Sequence, residues 1–174
     1  ANLLAPLIFS SPGKIQANTI CKEPVNGVDI TRTIHSLSRT LPAWQMHGRD
    51  LSGLLDDPSS SLTAPMLLIN TTYEYGNTVT ERLKNKNYDI FQRRGLTAWM
   101  MMRDGPYKYI RHFDEDTIEE LYDLNKDPEE LNNLAVSSQH HDLLKKLRVR
   151  TVEEMQKKDG DFVQYLPAPK ERHY

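Results

Sequence analysis

A turn between two apolar runs constrains the fold of this 174-residue chain more than any other feature. Asp104-Gly105 separates residues 97–103 from residues 107–113, and an Asp-Gly pair favours the positive φ angles of a type I′ turn in a two-residue hairpin. Residues 120–123 can add a third strand. The pattern predicts a small antiparallel sheet in which Tyr107 and Tyr109 lie on one face of their strand.

A capped helix start and a longer helix are predicted after this sheet. Asp127 is a good N-cap, and Pro128 suits the first helical position, where its missing N–H costs nothing. The longer helix should span about residues 138–158, and Gly160 is expected to end it. Helical spacing predicts that its buried face consists of Leu144, Leu147, Thr151 and Met155.

The first third of the chain predicts an α/β arrangement. The apolar residues 7–9 indicate a short buried strand. A helix is expected over about residues 29–41, where Pro42 stops it. A strand followed by a helix that packs back onto it is typical of the end of a larger mixed sheet. One stripe of a 3.6-residue period should form the packing face of that helix, namely Ile30, Ile34, Leu37 and Leu41.

A polar break at residues 56–61 is the expected domain boundary. Residues 1–57 would then be the end of an α/β core domain, and residues 58–174 a C-terminal subdomain with an antiparallel sheet, a helix and a polar tail. Because the chain starts beside a core strand, we expect a fragment or a processed product. Its first part should expose an apolar packing surface, so we predict self-association through residues 1–57.

Composition excludes several classes of function. The net charge is −2 with both signs mixed along the chain, which argues against a nucleic-acid partner and a basic membrane-binding face. No apolar run approaches the roughly 20 residues that a membrane span needs. The single cysteine, Cys21, excludes an internal disulfide framework. Asn70-Thr71-Thr72 is a glycosylation sequon only if the protein is eukaryotic and secretory.

Several segments, in order along the chain, resemble type I sulfatases of the alkaline phosphatase superfamily. Residues 6–15 resemble the late core strand and its Pro-Gly turn, and residues 28–30 resemble the start of the segment VDLAPTLLDLAG. Residues 48–55 resemble GRSLLPLL, and residues 73–75 resemble an aromatic-acidic patch. The predicted hairpin and helix resemble RTGRYKYI followed by ELYDLEKDPGELNNLA. The chain is similar to the C-terminal third of such an enzyme up to about residue 158.

This resemblance implies a sulfate ester hydrolase whose chemistry uses formylglycine and Ca²⁺. Cys21 is not followed by the Cys/Ser-x-Pro-x-Arg pattern that formylglycine requires, because Pro24 comes one place too late. Ser10 is followed by Pro12 but by Lys14 instead of arginine. We therefore expect no catalytic residue, metal ligand or cofactor in this chain, which alone should be inactive. The catalytic apparatus is expected upstream, in a periplasmic, extracellular or lysosomal enzyme.

The resemblance also implies substrate contacts from loops of the C-terminal subdomain. Tyr73 and Tyr75 could stack on a sugar or aryl ring, and Glu74 could accept hydroxyl hydrogen bonds. His47, before Gly48, is a further pocket candidate. The alternative for the three loop residues is strand packing and a surface charge. The implied partners are the N-terminal catalytic part of the enzyme and a sulfated small molecule or glycan.

Two other interpretations of the whole chain stay open. It could belong to a phosphate or phosphonate ester hydrolase of the same superfamily, which the upstream sequence would distinguish. It could also be a stand-alone interaction module without catalysis. Within the polar stretch before the hairpin, Arg93 and Arg94 could bind a sulfate or carboxylate, or form a solvated basic loop.

Overall fold

The computed structural model describes residues 5–93 and 96–170. The chain divides into two compact units, one ending at Ala64 and the other beginning at Pro65. The first unit contains helix α1 (Gly27–Ser38) and the short helix α2 (Ser52–Asp56). No helix in the described part of the chain has the length and apolar character that crossing a membrane would require.

Helix α1 begins at a capping box and ends at a left-handed residue. The Asn26 side chain accepts the N–H of Asp29 at 3.2 Å, and the Asp29 carboxylate accepts the N–H of Asn26 at 3.1 Å. Arg39 has a φ of 53°, and its N–H bonds back to Ser36 at 3.1 Å. The predicted helix is confirmed, but it ends at Ser38, before Pro42 can stop it.

The face that α1 buries within the first unit is polar, which differs from the prediction. Asp29 and Thr33 are the buried residues of the helix. The Thr33 hydroxyl donates to the Asp29 carbonyl at 2.7 Å and accepts the N–H of Leu51 at 2.9 Å. The predicted apolar stripe is exposed instead, with Ile34 at 55% and Leu37 at 54%. These hydrogen bonds therefore help to orient the helix within its unit.

Residues 7–9 do not form the predicted strand. They have no regular secondary structure, and Ile8 is 87% exposed. A strand is stable when a neighbouring strand satisfies its backbone N–H and C=O groups. No described residue pairs with this segment, and the sheets of the described residues are both antiparallel and lie in the second unit.

The second unit is built on a four-stranded antiparallel sheet in the order β1-β4-β5-β6. Its strands are β1 (Met66–Asn70), β4 (Trp99–Asp104), β5 (Tyr107–His112) and β6 (Glu120–Asp123), and a two-stranded ribbon pairs β2 (Gln92–Arg93) with β3 (Leu96–Thr97). Its helices are α3 (Asn77–Lys84) and α4 (His141–Gln156), with short 3₁₀ turns at Tyr88–Phe91, Leu134–Val136, Ser138–His140 and Asp161–Tyr165. The predicted antiparallel sheet with a C-terminal helix is confirmed.

The turn of the β4–β5 hairpin is not the predicted type. Asp104 pairs with Tyr107, so the two loop residues are Gly105 and Pro106. Gly105 has a φ of 54°, whereas the ring of Pro106 fixes a negative φ. A positive φ at the first central residue alone fits a type II′ turn, for which glycine is preferred at that position.

Helix α4 packs against one face of the sheet with the face predicted from its spacing. Leu144 and Leu147 contact Met102, Tyr109 and Leu121 of the strands, all of which are buried. Tyr107 packs against the same cluster, so the two tyrosines share a face as predicted. A second cluster joins the end of α4 to α3 and the loops through Val79, Leu83, Phe91, Phe113 and Met155.

The helix predicted to start at Asp127 is absent. The Asp127 carboxylate accepts the N–H groups of Leu131 at 3.0 Å and Asn132 at 2.8 Å, as an N-cap does. Glu130, however, has a φ of 60°, which a helix cannot continue through. The capping signal therefore closes a turn, and only the 3₁₀ turn Leu134–Val136 follows.

Candidate substrate-binding site

A loop held by its own hydrogen bonds follows β1 and presents the predicted aromatic residues. The Asn70 side chain accepts the N–H of Thr72 at 3.0 Å, and the Thr71 hydroxyl donates to the Glu74 carbonyl. Thr72 has a φ of 60°, which is rare for a β-branched residue. The local hydrogen bonds hold the backbone in this strained form, and such strain is a feature of ligand-binding loops.

The loop exposes its two rings and directs its carboxylate towards α3. Tyr73 and Tyr75 are 64% and 73% exposed. The Glu74 side chain is mostly buried and lies 3.8 Å from the Arg82 guanidinium. Because this contact engages the Glu74 carboxylate, the side chain holds the loop and has less capacity to accept hydrogen bonds from a ligand.

Tyr75, but not Tyr73, lines a groove of about 820 Å³ in the second unit. One wall is α3, and the other is the segment after α4. The Lys84 ammonium lies 4.9 Å from the ring centroid of Tyr165, within the range of a cation–π contact. The complete lining consists of Ile69, Thr71, Tyr75, Gly76, Asn77, Val79, Thr80, Glu81, Lys84, Lys158, Asp159, Gly160, Asp161, Phe162, Gln164 and Tyr165.

The second wall of the groove depends on how the chain leaves α4. Asp159 adopts the left-handed conformation with a φ of 58°, and the Gly160 N–H bonds to the Met155 carbonyl at 2.9 Å. A Cβ at Gly160 would lie 2.7 Å from that same oxygen, so only glycine allows this approach. Gly160 thus follows the helix end as predicted, but Asp159 supplies the left-handed turn that glycine was expected to provide.

His47 belongs to the first unit, whereas Tyr73, Glu74 and Tyr75 belong to the second. It is exposed beside Gly48, which lies against the Val28 carbonyl. The next residue, Arg49, is buried and bonds to the Asp29 carboxylate at 2.6 Å. The motif that follows His47 therefore fixes the loop to α1.

Two buried polar clusters of the second unit were not predicted. The Glu119 carboxylate accepts the Tyr109 hydroxyl and two N–H groups of Arg148, at 2.9 and 2.6 Å. On the other face of the sheet, Glu120 accepts hydrogen bonds from His112 at 2.9 Å and Tyr122 at 2.7 Å. These hydrogen bonds connect the strands, the loop before β6 and α4. The periodicity of the sequence cannot predict them, because the bonded residues lie on different elements.

The electrostatics of these clusters indicate a structural role. Burial, followed by the Glu119 charge, raises the pKa of the Tyr109 hydroxyl, so it stays a hydrogen-bond donor. The hydrogen bond with Glu119 raises the pKa of Arg148, which keeps its charge. The hydrogen bond with His112 holds the pKa of Glu120 below its ordinary value, so it stays an acceptor. None of the three side chains is tuned towards proton transfer near neutral pH.

No group of His, Cys, Asp and Glu residues within the described ranges could hold a metal ion. Of the two arginines considered from the sequence, Arg94 lies outside the described residues. The oxygen-rich site that Ca²⁺ prefers is thus not found among the residues described.

The fold is shared with solved structures of larger enzymes. One was solved in complex with its substrate D-glucosamine-2-N,6-O-disulfate; it is 18% identical, with a TM-score of 0.57 over 76% of this chain and 24% of that one. A 2-O GAG sulfatase is 20% identical, with a TM-score of 0.56 over 78% of this chain and 26% of that one. The phosphonate monoester hydrolase of Agrobacterium radiobacter is 18% identical, with a TM-score of 0.53 over 74% and 24%.

This chain therefore spans about a quarter of the length of these three structures. A sequence search among curated proteins gives no match. A family model described as N-sulphoglucosamine sulphohydrolase, C-terminal, matches residues 2–158, which is most of the chain. The chain accordingly belongs to the N-sulphoglucosamine sulphohydrolase C-terminal family.

Proposed function

We propose that this chain is the C-terminal part of an enzyme that hydrolyses sulfate esters of a glycan. The family match over residues 2–158 carries this proposal. The solved relatives support the substrate class, because one was solved with a disulfated glucosamine as its substrate and another is a GAG sulfatase. A phosphonate ester hydrolase shares the fold, but the family model describes a sulphohydrolase and favours sulfate.

In this proposal, the chain supplies scaffold and walls of the substrate cleft. Residues 1–57 complete the core domain, and residues 58–174 form the subdomain that carries the contacts. Tyr73 and Tyr75 offer exposed rings to the substrate, and Glu74 holds their loop through Arg82. His47 is a further contact, placed by the close packing of Gly48 against Val28.

The catalytic groups belong to the upstream part of the enzyme. Formylglycine and Ca²⁺ would supply the nucleophile and the charge stabilisation there. In this proposal, the contribution of the present chain is to bind and orient the substrate. The N-terminal catalytic part is therefore the principal partner that we propose.

The test compares the full-length enzyme with the 174-residue chain. We expect the full-length enzyme to release sulfate from D-glucosamine-2-N,6-O-disulfate and the chain alone to release none, as measured by ion chromatography. An aryl phosphonate monoester serves as the matched substrate for the competing activity. Sulfate release by the pure chain, or a higher kcat/KM for the phosphonate, would refute the proposal.

A further inference from the structure

We infer that the groove beside Tyr75 binds a saccharide unit of a sulfated glycan; this inference rests on the proposed function and adds the site. The groove has the size of a small-molecule site, since such sites range over about 300–1,000 Å³, and it measures about 820 Å³ here. It combines aromatic rings with a small number of polar groups, which is the lining that orients a ligand with both apolar and polar faces.

The aromatic part of the groove suits the C–H face of a sugar ring. Tyr75 is 73% exposed and its hydroxyl has no described hydrogen bond, so its ring is accessible from the groove. Tyr165 lines the opposite wall beside Phe162. Tyrosine provides a large contact area at a low cost in side-chain entropy, which makes it an effective residue for recognition.

The polar part of the groove suits hydroxyl groups. Asn77 and Gln164 each provide an amide, and Thr80 provides a hydroxyl. The Gln164 amide nitrogen donates to the Asp161 carbonyl at 2.9 Å, which fixes the side chain and leaves its oxygen as an acceptor. Amides that both donate and accept can pair with a sugar hydroxyl in either direction.

Lys84 gives the groove a place for a sulfate group. Its ammonium lies over the Tyr165 ring and forms no ion pair with any residue in the described ranges. A sulfate oxygen near this ammonium would gain a charge-assisted hydrogen bond. Lys158 is a second ammonium in the lining, and three carboxylates also line the groove, namely Glu81, Asp159 and Asp161. A sulfate is therefore favoured only beside the lysines, and a neutral hydroxylated face elsewhere.

The groove is formed before any ligand arrives. On one side, the Thr71 hydroxyl donates to the Glu74 carbonyl and so holds the loop that carries Tyr75. The Gly160 N–H bond to Met155 holds the other. Loops that must become ordered on binding reduce affinity. Walls that are already fixed avoid this cost, which matters most for a ligand with little apolar surface, such as a sugar.

The experiment titrates the 174-residue chain with a heparin-derived tetrasaccharide by isothermal calorimetry. Tyr75→Ala should weaken binding about fivefold or more, while Tyr75→Phe should stay within about twofold of wild type. Lys84→Met should weaken the sulfated tetrasaccharide by about fivefold and leave its desulfated form unchanged. Lys145→Met, which removes an exposed lysine of α4 outside the groove, should change neither. Circular dichroism confirms that each variant is folded.

Wild-type binding that Tyr75→Ala does not weaken would overturn the inference, and so would the absence of binding or tighter binding of an acidic peptide of equal charge. Sulfate release by the full-length enzyme is measured separately. Tyr75-dependent binding without sulfate release would refute the proposed function and support the saccharide site in the groove. Sulfate release without Tyr75-dependent binding would support the proposed function and refute the saccharide site in the groove.

Discussion

Asp29 performs several roles at once in the first unit. Its N–H and carboxylate complete the capping box with Asn26, and its carbonyl accepts the Thr33 hydroxyl. The same carboxylate binds the Arg49 side chain at 2.6 Å and the Arg49 N–H at 2.7 Å. Arg49 also donates to the Pro24 and Ala64 carbonyls. The start of α1 and the segment at Arg49, which are separate in the sequence, therefore form one buried hydrogen-bond network.

Breaking the hydrogen-bond network between Asp29 and Arg49 should destabilise the first unit. Arg49→Met leaves the Asp29 carboxylate buried without its charge partner, and such a loss costs about 3–5 kcal/mol. The free energy of unfolding from urea titration and the hydrogen exchange of α1 amides measure the effect. Arg32→Met removes an exposed arginine of the same helix and should change stability by less than about 0.5 kcal/mol. Equal stabilities of the two variants would contradict this account.

Asp114 should make stability depend on pH. Burial alone would raise the pKa of this carboxyl, but hydrogen bonds from Thr117 and Asp116 lower it overall. A lowered folded-state pKa means that the contribution is present above the ordinary pKa of an aspartate and is lost as pH falls through the lowered value. Asp114→Asn should therefore reduce stability at pH 7 and flatten its decline under acid, as urea titrations at pH 7 and pH 3 would measure.

The control for this prediction is Asp89→Asn. Asp89 is exposed and accepts no described hydrogen bond, so its replacement should leave both the stability at pH 7 and the acid decline close to wild type. If Asp114→Asn retains the full acid decline of the wild-type chain, the carboxylate of Asp114 is not its source.

At the scale of elements, the loop after α1 approaches the helix so closely that one position excludes any side chain. A Cβ at Gly48 would lie 2.1 Å from the Val28 carbonyl oxygen, and backbone cannot yield as a flexible side chain does. Gly48→Ala should destabilise the first unit by about 1–3 kcal/mol. Gly53, in α2, has open space around it, so Gly53→Ala should be neutral or stabilise by up to about 1 kcal/mol. Thermal unfolding of both variants tests the contrast.

The sequence predicted the helices that repeat a period, although the face that α1 buries differs from the prediction, and it missed features that depend on one residue or on distant partners. The buried face of α4 followed from helical spacing, because tertiary packing uses the same period. The capping signal at Asp127 was misleading, because the left-handed Glu130 turns the chain. The strand at residues 7–9 was predicted from apolar composition alone, which specifies no pairing partner.

The candidate site was predictable in part for the same reason. The resemblance pointed to Tyr73, Glu74 and Tyr75; both rings are exposed, and their contact with a substrate stays a prediction. The wall formed by residues 158–165 was not predicted, because it meets α3 only through the fold and no short-range pattern joins them. The engagement of Glu74 with Arg82 likewise depends on where α3 begins.

At the scale of the whole molecule, α1 presents an apolar surface to solvent. Val28, Ile34 and Leu37 are each more than half exposed, and Leu41 and Trp44 beyond the helix are 94% and 65% exposed. Apolar surface of this kind usually marks an interaction site. In the proposed full-length enzyme, the catalytic part would cover it, which explains why a helix oriented by hydrogen bonds keeps an apolar stripe.

Without that cover, the 174-residue chain should self-associate through this surface. We expect light scattering to give a dimer or larger species, and the double variant Ile34→Lys/Leu37→Lys to shift the chain towards a monomer, because two charges in the contact would be desolvated. Lysine is a good helix former, so α1 itself should persist. The matched control, Leu131→Lys/Val149→Lys, adds the same charge at exposed apolar positions of the second unit and should leave association unchanged. A monodisperse wild-type monomer would show that the stripe is stable in water and needs no partner.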